Sequence, residues 1–160
     1  MRMRFLHIAD VHLGMQPDAG FPWSKERGEA IWESFRRIIR LAGREKMDFL
    51  LIAGDLFHRQ PLIRELREIN YIFEQVPEIQ VVIVAGNHDF LSVASNYRTF
   101  SFAKNVVFLK KNEIESVYFP ELNTEVYGMS YWHREETSDV YDHITPKRQD
   151  AINILLAHGG

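Results

Sequence analysis

Apolar residues recur along this chain in short continuous runs, and four of the runs stop at side chains that bind metal. Phe5, Leu6, His7, Ile8 and Ala9 lead into Asp10 and His12; residues 49–53 lead into Gly54 and Asp55. Residues 81–85 lead into Gly86-Asn87-His88-Asp89, and residues 152–157 into His158-Gly159-Gly160. Runs of this length, bounded by glycine and polar residues, read as buried β-strands. After the first run, Ile31, Phe35, Ile38, Ile39 and Ala42 recur at helical spacing, with Ser24 as the expected N-cap and Gly43 near the helix end. A second helix is expected from Pro61 to Pro77, with Leu62, Leu66, Ile69 and Phe73 as its buried stripe. Ser92 is expected to cap a short helix to about Lys104, followed by a strand at residues 106–109.

The pattern changes after residue 112. Ile114, Val117, Phe119, Val126, Tyr127 and Met129 are β-formers interrupted by Pro120 and Asn123, which predicts a hairpin. Residues 132–148 are polar and irregular, a surface excursion. The strand–helix–strand–helix–strand order predicts a parallel sheet with right-handed crossovers, hence an α/β fold. The hairpin either begins a second sheet or extends the first antiparallel.

Composition narrows the function. The 160 residues have the length of one domain, with 46% hydrophobic and 26% charged content, as in ordinary globular proteins. No apolar run nears the roughly 18 residues needed to cross a bilayer, so no membrane association is expected. Met1-Arg2-Met3-Arg4 is basic, but the apolar run after it is too short for a signal peptide. The lack of cysteine excludes thiolate zinc sites, disulfides and a cysteine nucleophile. It fits a cytoplasmic protein. A net charge of −3 supplies no global attraction to polyanions, so any polyanion would have to be attracted by local groups or bound metal, which counts against a simple DNA-binding module.

The polar residues at the strand ends carry the chemistry. In α/β sheets ligands collect outside the carboxyl ends of the strands, so four such ends imply one shared site. Asp10 and His12, two apart on an extended strand end, are expected to point the same way. Gly54 lets backbone approach a ligand, and Asp55 can bridge two cations. Asn87 offers a carbonyl oxygen and His158 an imidazole nitrogen. Such mixed ligation suits manganese, iron or zinc better than calcium. Two cations roughly 3.5–4 Å apart clamp a phosphoryl group and activate water, so no nucleophilic side chain is required. Consistently, the chain has no P-loop and no G-x-S-x-G elbow. His58 is a candidate for contact with substrate phosphate or for support of a ligand. His7 is expected to be a hydrogen-bonded structural residue, His133 and His143 to be solvated, and Trp23, Trp32 and Trp132 to pack. Arg36, Arg37, Arg40 and Arg44, interspersed with Glu29, Glu33 and Glu45, read as a solvated helix face.

Asp10-x-His12, Gly54-Asp55, Gly86-Asn87-His88-Asp89 and His158 together resemble the calcineurin-like metallophosphoesterase superfamily. The segments His7-Ile8-Ala9-Asp10-Val11-His12-Leu13-Gly14 and Ala53-Gly54-Asp55-Leu56-Phe57-His58 resemble its SbcCD / Mre-type DNA repair exonuclease branch. The resemblance implies a sandwich of mixed β-sheets flanked by helices and two divalent metal ions, with Mn2+ preferred. It implies that Asp10 and His12 bind one ion, Asn87 and His158 the other, and that Asp55 bridges. His88 would then act in catalysis, with Asp89 orienting it. The implied reaction is hydrolysis of DNA phosphodiesters. The implied partners are DNA, an SbcC-like coiled-coil ATPase and a second copy of the chain, met through the second helix or residues 93–102. On this resemblance residues 1–160 are expected to be the N-terminal phosphoesterase core of a longer protein, ahead of a further histidine-ligand loop and a DNA-capping region. The rival expectations are a small-molecule phosphodiesterase or phosphomonoesterase on the same scaffold, and a metal-binding scaffold that does not cut.

Overall fold

A computed structural model describes residues 3–137 and 140–159. Met1 and Arg2 of the basic N-terminus and Gly160 of the last motif lie outside the described residues. The elements run β1 (Phe5–Ile8), α1 (Ser24–Arg44), β2 (Phe49–Ala53), α2 (Ile63–Glu74), β3 (Gln80–Val84), β4 (Val106–Phe108), β5 (Glu115–Phe119), β6 (Thr124–Gly128) and β7 (Ile152–Leu156). Strands β1 to β4 form a parallel sheet in chain order, as the alternation of strands and helices predicts. The hairpin β5–β6 begins a second sheet, and β7 joins it parallel to β6. The fourth strand to end in a candidate ligand therefore belongs to a different sheet from the other three.

The central strands explain the layering. In β2, Leu50 and Ile52 face the helices while Phe49, Leu51 and Ala53 face the second sheet. In β3, Val81 and Ile83 face the helices, and Val82 and Val84 face the second sheet. A strand buried on both faces loses the apolar–polar alternation of a half-exposed one, which is why these runs are continuously apolar. Helix α1 buries Phe35, Ile39 and Ala42, and α2 buries Leu66, Ile69 and Phe73, against this sheet. The outer face of α1 is a lattice of ion pairs: Arg36 with Glu33 and Glu68, and Arg40 with Glu33. Among the described residues no helix is long and apolar enough to cross a membrane.

Register sets the site. Ile8 lies beside Ile52, and Ile52 beside Ile83, so the residues two positions on (Asp10, Gly54 and Ala85) share one rim.

Several local expectations change. Residues 92–104 form a loop with a single 3-10 turn, Asn96–Arg98, capped by Ser95 rather than Ser92. Serine and asparagine there favour local backbone bonds over a helix, and the aromatic residues would lose side-chain freedom in one. Within the loop Arg98 donates to the Leu91 and Ser92 carbonyls, and two long-range bonds pin it to the rest of the fold, Asn96 to the Pro61 carbonyl and the Ala103 N–H to Asn70. Ser24 is the first helical residue of α1, and the flanking position is Trp23, which has no side-chain acceptor for the helix. Pro61 lies just outside α2. His7 is exposed on edge strand β1, and Trp23 is exposed and stacked on Phe21 at 4.8 Å. His133 and His143 are exposed, as expected.

At the start of α2, Glu65 accepts from the Leu62 N–H at 2.8 Å and from both terminal nitrogens of Arg59 at 2.8 and 2.9 Å. Burial pulls the Glu65 carboxyl upward, but the Arg59 guanidinium and the Leu62 N–H outweigh it and hold the pKa below its usual value. A carboxyl depressed in the fold contributes stability above its unfolded pKa and loses it as pH falls through the folded one. Glu65→Gln is therefore expected to destabilise by about 1–3 kcal/mol at pH 7, with the difference vanishing at acid pH below the folded pKa. Urea unfolding of both forms at neutral and acid pH measures this.

Candidate metal centre

Beyond Ile8 the chain does not leave the sheet but follows the turn after β2. The Asp10 N–H donates to the Gly54 carbonyl at 3.2 Å, His12 N–H to Asp55 at 3.0 Å, and Leu13 N–H to Leu56 at 2.8 Å. Asp10, His12 and Asp55 have φ of 52°, 53° and 52°, a left-handed conformation that disfavours side chains by about 1–2 kcal/mol each. The neighbouring Leu13, Leu56 and Phe57 are fully buried, and their packing holds the strained turns in place. Asp10 and His12 thus do not meet by strand alternation, as expected from an extended strand end. Backbone kinks turn them together, with Asp10 Oδ1 3.9 Å from His12 Nε2.

Asp55 lies at the middle, 2% exposed. Its Oδ2 is 3.8 Å from His12 Nε2, and its Oδ1 is 3.6 Å from His158 Nε2. Oδ1 also accepts from the His88 N–H at 2.9 Å. One carboxylate thus has an oxygen toward the Asp10–His12 pair and the other toward His158. His158 is brought from the second sheet and anchored twice: its Nδ1 lies 2.9 Å from the Ala53 carbonyl, and its own carbonyl accepts from the Tyr131 hydroxyl at 3.1 Å. The Ala53 bond assigns the proton to Nδ1 and leaves a lone pair on Nε2. That lone pair lies 2.9 Å from Asn87 Oδ1. Two acceptors facing each other across this gap call for a positive charge between or beside them.

The donors therefore fit two divalent cations. Asp10, His12 and Asp55 present ligand atoms within 4.8 Å of one another, and Asp55, Asn87 and His158 make the second set. Glycine is required around them: a Cβ on Gly54 would collide with the His158 ring, and one on Gly86 with Asp55 and with His158 Nε2. All five predicted ligands converge.

A cluster of imidazoles stands beside them. His88 Nδ1 bonds the His58 carbonyl at 3.0 Å, and its ring lies 4.8 Å from His12 and 5.0 Å from His58. His58 Nδ1 is 3.3 Å from His12 Nδ1. Burial, then the like charges of His12 and His88, push the His58 imidazole down, favouring its neutral form. Asp89 departs from expectation. It is fully buried, and its carboxylate accepts from the Gly86 N–H at 2.9 Å, the Phe57 N–H at 3.1 Å and the Tyr97 hydroxyl at 3.0 Å. The contact that orients the His88 ring is the His58 carbonyl, not Asp89. Burial pushes the Asp89 carboxyl up, against these three donors.

Tyr97, Tyr131 and Ser130 support the site without having stood out in the sequence. Ser130 Oγ accepts from the Ala85 N–H at 2.9 Å, just before Gly86. No spacing marks these residues, because each acts through contacts made only in the folded chain. A groove of about 740 Å³ between β1 and the Ile31–Phe35–Ile38 face of α1 is lined by none of the candidate metal donors.

Residues 3–160 match the family model described as calcineurin-like phosphoesterase. The chain is similar to the DNA double-strand break repair protein Mre11 of Archaeoglobus fulgidus, 42% identical over 91 residues, covering 54% of this chain and 19% of that protein. The Mre11 of Methanocaldococcus jannaschii is 29% identical over 166 residues, covering 99% of this chain and 44% of that one. A subunit of the nuclease SbcCD of Rhodobacter capsulatus is 34% identical over 92 residues, covering 54% and 22%. The chain thus spans less than half the length of these relatives. With the family match extending over nearly all of it, and the strand-end donors converging as described, this chain belongs to the calcineurin-like phosphoesterase family.

Proposed function

We propose that the protein is a metal-dependent DNA nuclease that hydrolyses phosphodiester bonds in double-strand-break repair. The observation that carries this reading is the bridging geometry of Asp55, with one oxygen toward Asp10 and His12 and the other toward Asn87 and His158. Asp10 and His12 would hold one divalent cation and Asn87 and His158 a second, with Asp55 shared. When bound, the pair supplies charge for the phosphate oxygens and a lowered pKa for the attacking water. Manganese is the proposed ion, with iron or zinc as alternatives, since oxygen and imidazole donors are mixed and thiolates are absent.

The chain's own residues do the rest. Water forms the new P–O bond in line with the leaving oxygen, whose bond to phosphorus breaks. His88, whose Nδ1 proton is held by the His58 carbonyl, would in its imidazolium form carry a second proton on Nε2 for that leaving oxygen, while the attacking water releases its proton to solvent. His58, favoured neutral, keeps a second positive charge away from His12 and His88. The names of the similar repair and SbcCD nuclease proteins support DNA as substrate. The same reading extends to an SbcC-like coiled-coil ATPase as partner, a homodimer and a cytoplasmic location.

Calorimetric titration of the protein with Mn2+ is expected to show two ions per chain. Asp55→Asn should weaken both sites by at least about tenfold, as loss of a shared anionic ligand requires, and unchanged binding would remove Asp55 from the bridge. In the intact protein with Mn2+, His88→Gln is expected to lower kcat on DNA by about 10²–10⁴ while metal stoichiometry is kept. Turnover of cyclic nucleotides or a chromogenic phosphodiester, with none of single- or double-stranded DNA, would replace the nuclease reading with a small-molecule phosphoesterase. Metal binding without turnover of any phosphoester would leave a scaffold.

A further inference from the structure

Tyr97 is a fully buried tyrosine on the 3-10 turn of the loop after the Gly86–Asp89 motif, and the chemistry proposed above makes no use of it. Its hydroxyl donates to Asp89 Oδ2 at 3.0 Å. The same oxygen accepts from the Phe57 N–H at 3.1 Å, and the other accepts from the Gly86 N–H at 2.9 Å. Phe57 lies two residues after Asp55, and Gly86 immediately precedes Asn87. The Asp89 carboxylate is therefore a tie between the two turns that carry the proposed bridging ligand and a ligand of the second cation.

We propose that Tyr97 is a positioning residue for the metal centre, setting the separation of Asp55 and Asn87 through the Asp89 carboxylate; this rests on the two-cation reading above. A carboxylate removed from water depends on every donor it has. Without the hydroxyl, the buried carboxylate keeps a single donor on each oxygen, Phe57 N–H on one and Gly86 N–H on the other, and the tie between the two turns loses the donor that fixes it from the loop. A second link between the same turns, from the His88 N–H to Asp55 Oδ1, makes Asp55 respond to any shift of the Gly86–His88 backbone. Partners that orient ligands from behind typically change metal affinity by roughly 10–100-fold when removed.

The test is Mn2+ titration calorimetry on the wild-type protein and on Tyr97→Phe, Asp89→Asn and the double variant, at a temperature where circular dichroism shows all of them folded. Tyr97→Phe retains the ring and its volume. It is expected to weaken Mn2+ binding by roughly tenfold. On a chromogenic phosphodiester at saturating Mn2+, its kcat should fall with KM unchanged. Adding Tyr97→Phe to Asp89→Asn should bring little further loss, because both act through one tie. Asn96→Ala serves as a control, removing a loop bond to the Pro61 carbonyl without touching Asp89; it should lower the melting temperature alone. Tyr97→Phe with a lowered melting temperature but wild-type Mn2+ affinity would overturn the inference and leave the tyrosine as packing. Equal affinity losses in Tyr97→Phe and Asn96→Ala would overturn it too. Wild-type protein that takes up no Mn2+ would sink the metal-centre reading itself, and this one with it.

Discussion

The buried Asp55 carboxylate constrains the rest of the architecture. Taking such an anion out of water is unfavourable by several kcal/mol unless it meets positive charge and donors. Among the described residues, its one hydrogen bond comes from the His88 N–H. Its two oxygens otherwise face nitrogens of His12 and His158 at distances too long for hydrogen bonds and suited to a cation in between. The left-handed backbone at Asp10, His12 and Asp55 and the paired acceptors of His158 and Asn87 are unfavourable taken singly. Each makes sense as part of a site whose stability includes bound ions.

The scaffold resists these local tensions through its layers. The first sheet is covered on one face by α1 and α2 and on the other by the second sheet, so its strand ends cannot drift apart without opening a core. The sheets approach closely where Gly128 lies against Leu109 and Val84, with room for no more than a hydrogen. That approach places β7 over β2 and carries His158 to the Ala53 carbonyl. Gly54 and Gly86 leave the space the imidazole and the carboxylate occupy. Glycines matter here for the atoms they lack.

Around the ligands lies a shell of polar anchors built from ordinary core residues. Tyr97 and Asp89 join the second and third turns, Tyr131 holds the His158 backbone, and Ser130 takes the last N–H of the β3 run. Their substitution would be read as loss of packing unless metal affinity were measured separately from stability. The helix surfaces are ion-paired and solvent-facing, as befits a fold whose chemistry is confined to one rim. Such folds host many substrates, because specificity lies in what surrounds the rim.

Much of this was legible in the residues alone. Four apolar runs ending in Asp10, Asp55, Asn87 and His158 pointed to strands and candidate ligands together, because burial on both faces makes a strand continuously apolar and ligand sites gather at strand ends. The helices were visible in the spacing of Phe35, Ile39, Leu66, Ile69 and Phe73 for the same reason of burial. Three things were decided only by tertiary structure. The helix expected after Ser92 became a pinned loop, since bonds to Pro61 and Asn70 outweigh weak local preference. Asp10 and His12 met through backbone kinks rather than alternation, since the segment after β1 follows the turn after β2. Asp89 turned inward to Tyr97 instead of toward His88. Local periodicity records which face of an element is dry; it holds no record of which buried polar group will find which partner, because those partners are brought together only when the layers close.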